Sequence, residues 1–226
     1  MAAAQTFKDI QDRTLDILSK NDLATRTRVK NHINLGYHDF VTRELWPFRE
    51  VTDSIVTIAG TQEYTLATEF ADIDRQNIVG VAIQGDNQTR LTYLPFNQAR
   101  ISRPDLDYDG TDVPRFYYLK AGKIGFWPSP AEAYTIDVDY YKVPTELSSD
   151  TDEPIIPISY REALIHYALS FEHDYNTDYE AAIKSMNRYE QIVTLARNNL
   201  LAQPADVGGF TILGPADFKN HTDIGV

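Results

Sequence analysis

Apolar side chains recur at helical spacing through the first fifty residues. Phe7, Ile10, Thr14, Ile17 and Leu18 predict a first helix, with Thr6 as its cap and Asp9, three residues on, completing a capping box. After a break at Asn21–Asp22, the stripe Val29, Ile33, Tyr37, Phe40, Val41 and Leu45 predicts a second helix. Pro47 should end it, because the residue before a proline is pushed out of helical backbone. From residue 51 the period changes. Ser54–Ile58, Glu63–Leu66, Ile78–Ile83 and Thr89–Leu94 read as short strands, and a proline at a first helical position predicts a short helix over Pro95–Ile101. Arg115–Leu119 and Ile124–Trp127 flank Lys120–Ala121–Gly122–Lys123 as a hairpin. Tyr134, Ile136, Val138 and Tyr140 alternate with Thr135, Asp137, Asp139 and Tyr141, the pattern of a half-buried antiparallel strand.

Helical signals return after Pro144. Ser159 and Glu162 form a capping box with Ile158 as its staple, ahead of a stripe of Leu164, Ala168, Phe171 and Tyr175. Thr177 and Glu180 form another, ahead of Tyr179, Ala182, Ile183, Met186, Tyr189, Val193, Ala196 and Leu200. This last helix should run about 24 residues, roughly 36 Å, and its single apolar stripe requires partner helices. The expected fold is α+β, an antiparallel helix bundle built from both chain ends with an inserted antiparallel β segment. Residues 1–50 and 155–202 form the helical bundle, 51–154 the inserted β-rich domain, and 203–226 an extended, flexible C-terminal tail broken by glycine and proline.

Composition narrows the chemistry. The 226 residues contain no cysteine, which removes disulfides, thiolate metal sites and a thiol nucleophile. No basic, apolar leader stands at the N-terminus and no apolar run approaches the length of a membrane span, so a soluble protein is expected. The net charge of −12 argues against a DNA-gripping surface. Residues 144–180 hold nine acids against one base, Arg161, which reads either as a solvated face or as a surface that must not stick to DNA passing nearby.

Few motifs carry chemistry. Asp105, Asp107, Asp109 and Gly110 match the first half of a calcium loop, but Phe116 stands where the bidentate Glu belongs, and an ordinary Asp/Gly turn is the better reading. Among His32, His38, His166, His173 and His221, two share a face with Glu162 on the first of the late helices; without an H-E-x-x-H arrangement they read as a surface helix rather than a metal site. No nucleophile elbow or phosphate-binding loop is present. No catalytic, cofactor-binding or metal-ligating residue is assigned. Candidate partner-binding residues are Phe210, Ile212 and Leu213 in the tail, suited to strand addition on a partner, and the basic cluster Arg26, Arg28 and Lys30. The cluster lies outside its helix's apolar stripe, so folding should barely notice its removal.

One stretch is similar to a known family. Val113–Pro114–Arg115–Phe116–Tyr117–Tyr118 is followed by Gly122–Lys123–Ile124, Phe126–Trp127–Pro128–Ser129–Pro130, Tyr140–Tyr141–Lys142–Val143–Pro144, Pro154–Ile155–Ile156–Pro157 and Tyr160–Arg161–Glu162–Ala163–Leu164. With the N-terminal helices, Trp46–Pro47–Phe48 and the long last helix, this order resembles the head-to-tail adaptors of tailed bacteriophages, the connector or head-completion family related to tail tubular protein A, over about residues 5–202. The resemblance implies a structural virion protein of the neck, assembled in the host cytoplasm. It would dock on the portal ring, extend the DNA channel and offer the attachment surface for the tail. Its implied partners are the portal protein, a tail or nozzle protein and further copies of itself in a dodecameric ring, with DNA passing through without specific binding and no membrane involved. At net −12 the isolated chain is expected to be monomeric or weakly associated, and to form a ring only on the portal. The competing readings are a tail-side terminator or tube protein of the same virion, and a metal-assisted hydrolase using the Asp105–Asp109 loop.

Overall fold

The computed structural model describes residues 5–65, 78–85, 89–102 and 110–201. Thr6 opens α1 (Phe7–Leu18) as its spacing predicts: the Asp9 N–H donates to the Thr6 hydroxyl, and the Asp9 carboxylate accepts from the Thr6 N–H at 2.8 Å. Asp22 caps α2 (Leu23–Thr42), accepting from the Thr25 N–H at 2.9 Å. This helix stops short of its expected end. Leu45 lies outside it and is exposed, and Pro47 begins a 3-10 turn, Pro47–Arg49.

The strands are β1 (Glu50–Val56), β2 (Glu63–Thr65), β3 (Ile78–Ile83), β4 (Thr92–Tyr93), β5 (Thr111–Asp112), β6 (Phe116–Lys120), β7 (Lys123–Trp127), β8 (Ser129–Pro130) and β9 (Thr135–Tyr141), with the short helix α3 (Phe96–Ser102) after β4. Three sheets result, ordered β1-β9-β3, β2-β7-β6-β4 and β5-β8. The β6–β7 hairpin turns on Ala121 and Gly122, both at positive φ, as a two-residue loop requires. β9 alternates as expected: Ile136, Val138 and Tyr140 are buried with Val81, Tyr117, Ile124 and Phe126 in a β-side core. The strand segment is not wholly antiparallel, however. β4 runs parallel to β6 and β5 parallel to β8, because each of these two-residue strands enters from a connection rather than from a hairpin.

After residue 141 the chain returns through Pro144–Pro157 to α4 (Glu162–Tyr175) and α5 (Tyr179–Leu200). Neither expected capping box forms here. A 3-10 turn, Ile158–Tyr160, leads straight into α4, whose N-cap is Arg161 in helical conformation without a side-chain bond. Thr177 sits at φ 62, so Asp178 caps α5 instead, accepting from the Ala181 N–H at 3.2 Å. The chain is thus α+β, with a second core of Ile10, Val29, Ile33, Phe40, Trp46, Leu164, Ala168, Tyr189 and Val193 among the helices.

α4 is the central helix and touches α1, α2 and α5. Arg13 meets Glu162 and Lys20 meets Asn176, so α1 runs in the same direction as α4. Arg28 meets Glu172, and Gly36 lies against Tyr167, so α2 runs opposite. At Gly36 an added Cβ would lie 2.7 Å from the Tyr167 ring, so only glycine lets the two helices come this close here. Because α1 and α5 each pack on α4 and leave a gap between them, part of the predicted apolar stripe is not covered. Ile17 and Ile183 line this gap and are exposed; Tyr175 and Tyr179 are exposed outside it, and Phe171 stacks on His32 of α2.

Candidate functional site

The basic cluster of α2 is engaged within the chain. Arg26 donates to Asp12 at 2.8 Å and Lys30 to Asp150 at 3.1 Å. Arg28 makes two bonds, 3.1 and 3.0 Å, to the carboxylate of Glu172, which has 0% exposure, and its guanidinium lies 4.2 Å over the Tyr175 ring. The Glu172 carboxylate holds the Arg28 pKa above its ordinary value. His32 stands one turn further along α2, stacked on Phe171, with Nδ1 3.4 Å from Glu172 Oε1. Burial lowers the His32 pKa, working against the attraction of Glu172 and together with the repulsion of Arg28. The expectation that the cluster is irrelevant to folding therefore fails at Arg28: without it, Glu172 would be a buried charge missing its main partner.

The histidines of α4 do not converge on a metal. His166 Nε2 lies 3.8 Å from Glu162 and His173 Nδ1 3.9 Å from Asp178, and burial lowers the His166 pKa. Among the described residues no group of three or more ligating side chains could hold an ion. The Asp105–Asp109 loop, and Phe210, Ile212 and Leu213 in the tail, lie outside the described residues. No helix among the described residues is long and apolar enough to cross a membrane.

Two surfaces stand out that the sequence did not single out. The first is the groove between α1 and α5, about 780 Å³, floored by Leu169 of α4 and walled by Ile17 and Ile183. Lys184 and Arg188 stand on its α5 wall. Among the described residues Lys184 has no partner, and Arg188 donates to Gln191 at 3.2 Å but to no carboxylate. The second is the outer face of the β1-β9-β3 sheet. Register places Glu50, Thr52, Ser54 and Val56 of β1 beside Tyr141, Asp139, Asp137 and Thr135 of β9, with Gly80 and Ala82 of β3 opposite Asp139 and Asp137. Its carboxylates accept from neutral donors: Asp139 from Thr52 at 2.6 Å, Asp137 from Ser54 at 2.6 Å and from Gln84, and Glu50 from the Tyr141 hydroxyl at 2.8 Å. No cation pairs with them among the described residues.

Two buried arginines also escaped the sequence reading. Arg49, 3% exposed, donates to the carbonyls of Val41, Glu44 and Lys142 where the chain passes from α2 into β1. Burial lowers its pKa. Arg161, 9% exposed, donates to the carbonyls of Gln5, Pro154 and Ile156 where the chain returns from β9 to α4. The available signal was the nearby prolines: a proline-rich crossing has fewer N–H donors than carbonyls, and a guanidinium with five donors supplies the difference.

The element order just described, two helices, a strand segment and a long closing helix pair, spans the stretch that a family of known proteins matches: the family described as SU10 adaptor protein, over residues 5–208. The chain belongs to the SU10 adaptor protein family. It is accordingly an adaptor of the phage head-to-tail class, a virion component whose role in the family is structural. No curated protein matches the chain. Every described element of this adaptor lies inside the matched span, as do the groove, the outer sheet face and both buried arginines.

Proposed function

We propose that this adaptor docks on the portal ring of a DNA-filled head, extends the channel and presents the surface to which the tail attaches. The observation that carries this reading is the family match across residues 5–208. In this reading the chain acts as a ring of twelve copies, with portal below, tail or nozzle protein above, and DNA crossing an acidic, non-gripping lumen in the virion neck. The helices of residues 1–50 and 155–202 form one body and the strands of 51–154 another. The tail, 203–226, carries Phe210, Ile212 and Leu213 to the portal or to a neighbouring copy. The internal engagement of Arg26, Arg28 and Lys30 leaves the apolar tail as the stronger candidate anchor. No step of catalysis is called for: closed cyclic assembly through head-to-tail contacts supplies the function.

The test adds the purified chain to tailless, DNA-filled heads and images them with the chain labelled. Label at the portal vertex, followed by competence to accept tails, is expected. Label on isolated tails with none on heads would replace this reading with the tail-side one. A chain ending at Ala202 should retain its melting temperature and lose attachment.

A further inference from the structure

We propose that neighbouring copies of this chain meet through two different surfaces: the α1–α5 groove of one copy receives the outer face of the β1-β9-β3 sheet of the next. The proposal rests on the ring reading above and names the contact that would close the ring. Its first support is charge. In a chain of net −12, Lys184 and Arg188 are cations without a carboxylate partner among the described residues, and they stand on a groove walled by exposed Ile17 and Ile183, where they outnumber the one lining acid, Glu180.

A fitting occupant must be acidic and partly apolar. The acid-rich stretch after Pro144 is the poorer occupant, because most of its carboxylates are held at home. Asp150 pairs with Lys30, Glu153 with Arg161 and Glu172 with Arg28, while Asp152 accepts the N–H groups of Ser148 and Ser149. The outer sheet face has the missing chemistry. Glu50, Asp137 and Asp139 pair with no cation among the described residues, and Val56 beside them is exposed; the Arg90 guanidinium, which lies over Gly80, donates to the Val79 carbonyl at 3.0 Å.

Each copy thus carries one partly apolar groove with two cations that have no carboxylate partner among the described residues, and one acidic sheet face on different elements. A two-fold pair would bring like surface against like and oppose equal charges. A head-to-tail contact pairs unlike surfaces and repeats around a ring.

The absence of cysteine makes the contact directly readable, since introduced thiols have no background. The full chain carrying both Lys184→Cys and Asp139→Cys, treated with a short bismaleimide at high protein concentration, should give a ladder from dimer upward. Its yield should be at least tenfold that of either single variant, and an equal mixture of the two single variants should stop at dimer. As a second measurement, Lys184→Glu/Arg188→Glu and Asp137→Lys/Asp139→Lys should each fail to associate in sedimentation, and mixing them should restore association. Either single thiol variant crosslinking efficiently to itself would overturn the proposal in favour of a two-fold contact. Association of the chain without any ladder would overturn the contact and leave the ring reading standing, whereas a chain that never associates, alone or on heads, would overturn both.

Discussion

At the scale of single residues, Glu172 decides more than its place on a surface-patterned helix suggests. It is fully buried, and Arg28 satisfies both its oxygens. Removing one partner of such a pair costs about 3–5 kcal/mol, while replacing both by apolar groups of similar volume is close to neutral. Arg28→Ala is therefore expected to lower the melting temperature by about 6–20 °C at the slope of a domain this size, and Arg28→Met/Glu172→Leu should recover most of the loss, both read by calorimetry. The neighbouring His32 adds a pH dependence whose sign follows from its lowered pKa. The unfolded chain binds the proton more readily than the folded one, so the neutral ring's contribution is intact above the unfolded pKa of about 6.5 and is lost as pH falls below it. Between pH 7 and pH 5 the wild type should lose more stability than His32→Phe, which keeps the stack on Phe171 and cannot titrate. Parallel losses in the two proteins would show that His32 does not carry the dependence.

At the scale of elements, what repeats by period was legible and what depends on partners was not. The Thr6–Asp9 box, the β6–β7 turn and the buried face of β9 each follow from residues within a few positions of one another. The expected caps at Ser159 and Thr177 failed because the preceding backbone, a 3-10 turn in one case and a left-handed residue in the other, was fixed by the crossing and by the α4–α5 connection. The exposure of Ile183 depends on where α1 lies, which no local spacing encodes. Of the proposed surfaces, the alternation of β9 already separated Asp137 and Asp139 from the core, but the pairing that sets Glu50 beside them joins residues about ninety positions apart. The buried arginines belong to the same class. Arg161 fastens three carbonyls from two separate segments, a planar fork that a lysine ammonium does not reproduce. Arg161→Lys should keep the charge and still destabilise by about 1–3 kcal/mol, the cost of leaving buried carbonyls unsatisfied. The readout is the urea midpoint, and a variant within a few tenths of wild type would show that water replaces the fork.

At the scale of the whole molecule, the two cores are joined by two crossings, and the crossings lie side by side. Glu50 pairs with Tyr141 at the first rung of the β1–β9 ladder, the Lys142 N–H donates to the Arg49 carbonyl at 2.9 Å, and the Arg49 guanidinium donates back to the Lys142 carbonyl at 3.0 Å. The chain therefore leaves the helices and comes back to them through a single doorway. Directly opposed residues of an antiparallel pair stand about 5 Å apart, a gap that a two-residue turn closes. Joining Arg49 to Lys142 through Asn-Gly should yield a shortened chain that stays helical by circular dichroism and melts cooperatively; a molten product would show that the helices rely on the strands for their packing. Seen this way, the strand segment is a cartridge. A virus lineage could exchange it, lengthen it or fit it to a new tail by recombination at two neighbouring points, while the helices that hold their own core stay as they are.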